Sequence, residues 1–145
     1  MSENKYPDCF PDNFETDILP KEAGNDEKDV YRIIKSGIID KRGFLSTYEE
    51  IKKGLIPDKI KKGKISLNDP KLYSTSCIVE MSEAEYTLDL FMRHYPPAII
   101  SKGKTKAVCG PNQLTSEREK DVKTTHVDWW IYKHANPQLY FKKVD

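Results

Sequence analysis

In the stretch HVDWWIY, residues 126–132, the side chains most able to do chemistry recur at every second position: His126, Asp128, Trp130 and Tyr132. On a β-strand that spacing places all four on one face. An imidazole and a carboxylate side by side supply acid–base chemistry, the carboxylate orienting the ring or raising its pKa. Two flat rings with polar tips supply surfaces that stack on a ligand. The same pattern also describes a structural hydrogen bond between His126 and Asp128 beneath a covering element. Val127, Trp129 and Ile131 take the opposite face and belong in a core. A metal site would have to draw on His94, His126, His134 and Asp128, which show no recognised ligand spacing, so no metal is expected. Cys9, Cys77 and Cys109 form no CxxC pair. Cys77 reads as a small core residue, and Cys109, beside Gly110–Pro111, occupies a place compatible with exposure. No nucleophile elbow, phosphate loop or dinucleotide fingerprint is present.

The elements that must position these residues follow from periodicity. Alternation predicts strands over 29–35, 71–79, 98–109, 126–133 and 139–144. Ser46 with Glu49, and Ser82 with Glu85, carry the capping-box spacing and predict a short helix near 47–53 and a main helix over 82–95, the latter stopped by Pro96–Pro97. Gly54 suits the C-cap of the first helix. Residues 111–125 are polar and read as a long loop. The pattern predicts an α+β fold: a twisted, mostly antiparallel sheet with one main packed helix and one short helix. Residues 1–27 read as an acidic, proline-containing arm, pinned by Tyr6, Phe10, Phe14, Ile18 and Leu19, before a single domain over 28–145.

The 145 residues suit one domain able to bury a core without staples. The mean hydropathy of −0.70 is polar. Eight tyrosines, five phenylalanines and two tryptophans nevertheless argue against wholesale disorder. No apolar run approaches a membrane span, and the N-terminus lacks a signal-peptide pattern. A reduced, cytoplasmic protein is expected, with no membrane partner. The net charge of +1 conceals an asymmetry: residues 1–29 hold nine acids against three lysines, so they carry −6 and the rest +7. Six of the lysines lie between Lys52 and Lys64. That run reads either as a solvated loop or as a surface for nucleic acid, although no aromatics interleave with it.

Three short motifs occur in order: "YR" at Tyr31–Arg32, "YSTS" at Tyr73–Ser76 and "EREK" at Glu117–Lys120. Together they resemble the pattern of the ADP-ribosyltransferase superfamily. The resemblance implies NAD as substrate, for ADP-ribosyl transfer or NAD glycohydrolysis in a toxin- or defence-related setting. It implies that Arg32 holds the pyrophosphate or ribose and that Ser74, Thr75 and Ser76 support the nicotinamide half. Glu119, with Glu117 ahead of it, would stabilise the cation that develops as nicotinamide leaves. Tyr73 or Trp130 would stack on nicotinamide, and Asp128 or His126 would fill the polar role if the glutamates do not. Two alternatives stand beside it. One is a non-catalytic interaction module that docks a protein partner through the Trp129–Tyr132 strand and the acidic arm; the other is nucleic-acid binding through Lys52–Lys64.

Overall fold

The computed structural model describes residues 4–145. Its centre is a six-stranded antiparallel sheet. In chain order the strands are β1 (Asp29–Ile34), β2 (Thr75–Ile78), β3 (Ile99–Lys104), β4 (Asn112–Leu114), β5 (His126–Trp129) and β6 (Phe141–Lys143). They lie in the spatial order β4-β5-β2-β1-β3-β6. The helices are α1 (Thr47–Lys52), α2 (Met81–Met92) and the one-turn α3 (Thr115–Arg118). The fold is α+β. No helix among the described residues is long and apolar enough to cross a membrane.

Three apolar clusters follow from the alternation of the strands. One face of the sheet carries Ile33, Ile78 and Ile100, which pack against Ala84, Leu88, Phe91 and Tyr95 of α2 and its C-terminal turn. The other face carries Val30, Ile34, Cys77, Val127, Trp129 and Phe141, closed over by Phe44. The third cluster joins the N-terminal segment to the body: Tyr6, Phe10, Phe14 and Ile18 bury themselves against Tyr48, Leu72, Tyr73 and Trp130. The segment is irregular apart from a π-helical turn, Phe14–Ile18.

Several boundaries differ from the sequence expectation. Pro70–Tyr73 is a 3-10 turn rather than the start of a strand, because Asp69 accepts from the Lys71 N–H and Pro70 opens the turn. Residues 98–109 do not run through as one strand: β3 ends at Lys104 and Ala107–Cys109 forms a 3-10 turn. β5 ends at Trp129, and Pro137–Tyr140 is a further 3-10 turn ahead of β6. The polar stretch read as a loop contains β4 and α3. The Ser46–Glu49 capping box forms, and Gly54, at φ 69°, ends α1. The Ser82–Glu85 box does not form: α2 begins at Met81 with Glu80 at its N-cap, two positions too early for Ser82 to cap it.

One irregularity of the sheet positions everything that follows. β1 and β2 pair only at Tyr31 with Ile78. Beyond that point the segment 40–47 is inserted between them. Arg32 Nε donates to the Gly43 carbonyl (3.0 Å) and its Nη1 to the Ser76 carbonyl (2.9 Å). The Thr75 hydroxyl donates to the Phe44 carbonyl (2.7 Å), and the Thr47 N–H to the Ser74 carbonyl (3.3 Å). Carbonyls that the ladder leaves unpaired are satisfied by a guanidinium and a loop, as buried backbone requires.

Candidate functional site

The splay between β1 and β2 opens into a cleft of about 570 Å³ at the C-terminal end of β1. Arg32, Lys35, Arg42 and His94 line it, with Glu50 as its carboxylate and Tyr95–Pro96–Pro97 as its apolar wall. The Arg32 side chain is 9% exposed, and its Nη2 makes no hydrogen bond among the described residues. Lys35 Nζ pairs with Glu50 at 2.8 Å and lies 5.3 Å from the Tyr95 ring centre and 5.6 Å from that of Phe91. Arg42 is held by Asp40 at 2.7 Å and is otherwise exposed. That hydrogen bond holds the Asp40 carboxyl below its ordinary range and raises Arg42. Cationic groups outnumber the carboxylate on the lining, and one wall is aromatic. Clefts of roughly 300–1,000 Å³ with a few convergent polar groups are where small ligands bind.

A second polar centre lies on the helix-covered face, at β2, β5 and α3. Asp128 is fully buried. Its carboxylate accepts from Ser74 Oγ (2.7 Å), Thr115 Oγ1 (2.8 Å) and Arg118 Nη2 (2.7 Å). Thr115 Oγ1 also meets His126 Nδ1 at 2.6 Å. Arg118 donates to Gln113 (2.7 Å) and stacks 5.8 Å from the Trp130 ring centre. Glu119 accepts from Lys71 at 3.1 Å and from Arg118 at 3.4 Å. Burial pushes the His126 pKa down; Asp128 opposes this, while Lys71, Arg32 and Arg118 reinforce it.

The residues singled out by sequence therefore divide. Ser74, His126, Asp128 and Glu119 belong to the second centre, and Arg32 belongs to the cleft. Arg32 shares its face with Cys77 and Trp129, while Ser74 points with Asp128, so the two lie on opposite faces of the sheet. A single pocket built from Arg32, the serine ladder and Glu119 does not assemble. Tyr73 is buried in the aromatic cluster, its hydroxyl donating to the Leu67 carbonyl (2.6 Å) and its pKa pushed up to about 12 by burial. Thr75 is buried and committed to Phe44, and Ser76 is half-buried opposite Asp128. Trp130 is fully buried, with its indole N–H donating to the Pro70 carbonyl (2.9 Å). It touches no cleft, and with Trp129 also fully buried neither tryptophan presents a face to a partner. Glu117 is exposed on α3. No side chain caps α3, and Glu119 ends it. Cys109 is buried rather than exposed. All six lysines between Lys52 and Lys64 are exposed.

Sequence reasoning missed Lys35, Arg42, Glu50 and Tyr95, and weighed His94 only as a metal ligand. They come from four places in the chain: Lys35 follows β1, Arg42 lies in segment 40–47, Glu50 lies on α1, and His94 and Tyr95 follow α2. Among the described residues no group of three His, Cys, Asp or Glu side chains gathers as a metal site. No family model, curated protein or solved structure matches the chain.

Proposed function

We propose that the protein binds a phosphate-bearing nucleotide of the NAD type in the cleft at the end of β1. The observation that carries this reading is the convergence of Arg32, Lys35, Arg42 and His94 on one cavity with a tyrosine wall. Guanidinium groups grip phosphate oxygens in bidentate fashion, and an aromatic face accepts a base or nicotinamide ring. The Ile38 and Leu55 side chains, 59% and 55% exposed, extend the apolar rim for the same purpose.

Within this reading Arg32 keeps the phosphate role that the family resemblance implies. The carboxylate role passes from Glu119 to Glu50, because Glu50 lines the cleft. Glycosidic cleavage of NAD would place positive charge on the ribose as nicotinamide departs, and Glu50 is the group suited to stabilise it.

The test is calorimetric titration with NAD, ADP-ribose and nicotinamide. Saturable binding of NAD and ADP-ribose is expected, weakened about tenfold or more by Arg42→Glu, since a charge is reversed at a phosphate contact. Lys61→Glu, on the exposed lysine-rich connection, is expected to leave binding unchanged. Absence of binding at millimolar NAD, or equal loss in both variants, contradicts the proposal. Nicotinamide release that disappears in Glu50→Gln marks turnover; binding without release marks a nucleotide sensor.

A further inference from the structure

A second cavity, of about 410 Å³, shares no lining residue with the cleft. Three stretches of chain frame it: Asn4–Lys5, Val108–Cys109 and part of the run from Tyr132 to Tyr140. Backbone hydrogen bonds tie them together. The Lys133 N–H donates to the Lys5 carbonyl (2.9 Å) and the Tyr132 N–H to the Cys109 carbonyl (2.8 Å). The 3-10 turn Pro137–Tyr140 sets Leu139 and Tyr140 in the wall. The walls therefore stand without a ligand, which lowers the cost of binding one. Val108, Leu139 and Tyr140 are 68%, 72% and 41% exposed, so large apolar surface faces water beside the cavity. Lys5 and His134, both exposed, add positive charge and ring N–H groups, and Asn4 and Asn136 add amides. Among the described residues no Asp or Glu lines the cavity. The acids nearest in the chain are engaged elsewhere: Asp8 pairs with Lys133 at 3.1 Å, and Glu27 with Lys106 at 3.0 Å. Lys106 Nζ itself lies 5.6 Å from the Tyr140 ring centre, a further cation behind that wall.

We propose that this cavity binds a small amphipathic carboxylate, an aromatic or short-chain aliphatic acid. The apolar body lies against Val108, Leu139 and Tyr140 and takes their exposed surface out of water. The carboxylate accepts from the Lys5 ammonium and from the amide N–H groups of Asn4 or Asn136. His134 offers a ring N–H to the same group. The lining selects against the alternatives. A neutral apolar molecule leaves the lysine unanswered, and a bare inorganic anion leaves Val108 and Leu139 in water. A cation meets Lys5 and finds no acid among the described lining residues. The volume lies at the lower end of ligand cavities, about 300–1,000 Å³, which favours a free acid over a polymer. The site stands independently of nucleotide binding in the cleft.

Methyl NMR of the full chain during titration with phenylbutyrate tests it. Saturable shifts of the Val108 and Leu139 methyl groups are expected. Phenylbutanol, the uncharged analogue, should bind about tenfold or more weakly, since it lacks the charge-assisted hydrogen bonds. Leu139→Asp, read at Val108, should weaken phenylbutyrate about tenfold or more by placing a like charge in the wall. Lys5→Gln should bring the acid close to the affinity of the alcohol. Both side chains are exposed, and an unchanged melting temperature is expected to show that both variants fold. Lys61→Glu should leave binding unaltered. No saturation at millimolar acid, equal binding of acid and alcohol, or indifference to Leu139→Asp overturns the proposal. Shifts gathered instead at Ile38 and Leu55, which line the nucleotide cleft, overturn it as well. N-acetylphenylalanine binding about tenfold more tightly than phenylbutyrate would assign the cavity to a peptide terminus and overturn the free-acid reading.

Discussion

At the scale of single residues, Asp128 dominates. A fully buried carboxylate that accepts three hydrogen bonds is stable only while its donors remain, and they remain only while it does. Asp128→Ala strands Arg118, Ser74 and Thr115 together. Chemical denaturation should find a loss of about 3 kcal/mol or more; a loss under about 1 kcal/mol contradicts this account of the centre. His126 adds a pH dependence of known sign. Its folded pKa lies below the ordinary value of 6.5, chiefly through burial. The folded state therefore binds fewer protons than the unfolded chain between that lowered pKa and about 6.5. Stability should fall as the pH drops through this window, and His126→Gln should flatten the dependence; a profile that rises on acidification would reverse the sign. Cys77, pushed up to about 12 by complete burial, should resist thiol reagents until the protein unfolds.

At the scale of elements, the same four-residue signature behaves in two ways. Ser46 caps α1 and Glu49 reaches back to it, both at 3.1 Å. Ser82 caps nothing, because Glu83 accepts from the Thr125 N–H and hydroxyl and Thr125 accepts from the Glu80 N–H, which fixes the start of α2 by a tertiary contact. Ser46→Ala should cost about 1 kcal/mol and Ser82→Ala no more than about 0.5 kcal/mol, a contrast readable from paired melting curves. Equal losses would contradict the assignment. The strands that alternate strongly, β1, β2 and β5, were legible because alternation of apolar side chains is a local property of the chain. β4 and α3 were not, because their buried residues are polar. Asn112 is satisfied by Asp26 and Thr105, and Gln113 by Arg118. Hydropathy cannot distinguish a buried, paired amide from a solvated one. The candidate site was half legible for the same reason. Arg32 stands on a recognisable strand, whereas Arg42 and Glu50 reach the cleft only because segment 40–47 enters a splay that no local signal announces.

At the scale of the whole molecule, the N-terminal segment is structural. Tyr6, Phe10, Phe14 and Ile18 are each less than 8% exposed, and Phe10 and Phe14 pack edge-on against Tyr73 at 4.9 and 5.2 Å. Burying such side chains contributes about 1.5–3 kcal/mol each, a sum comparable with the total stability of a domain. Removing residues 4–19 should leave a chain that binds hydrophobic dyes and lacks a cooperative transition; a truncated protein with an unchanged melting temperature would contradict this. The molecule then presents two polar centres of different kinds: a cationic cleft where the sheet splays, and a buried network around Asp128. The first is the central claim. Amide NMR during NAD titration tests it most directly. Shifts confined to residues around Lys35, Gly43, Glu50 and Tyr95, saturating together, are the predicted result. No shifts, or shifts centred on the lysine-rich connection 52–64, would contradict it.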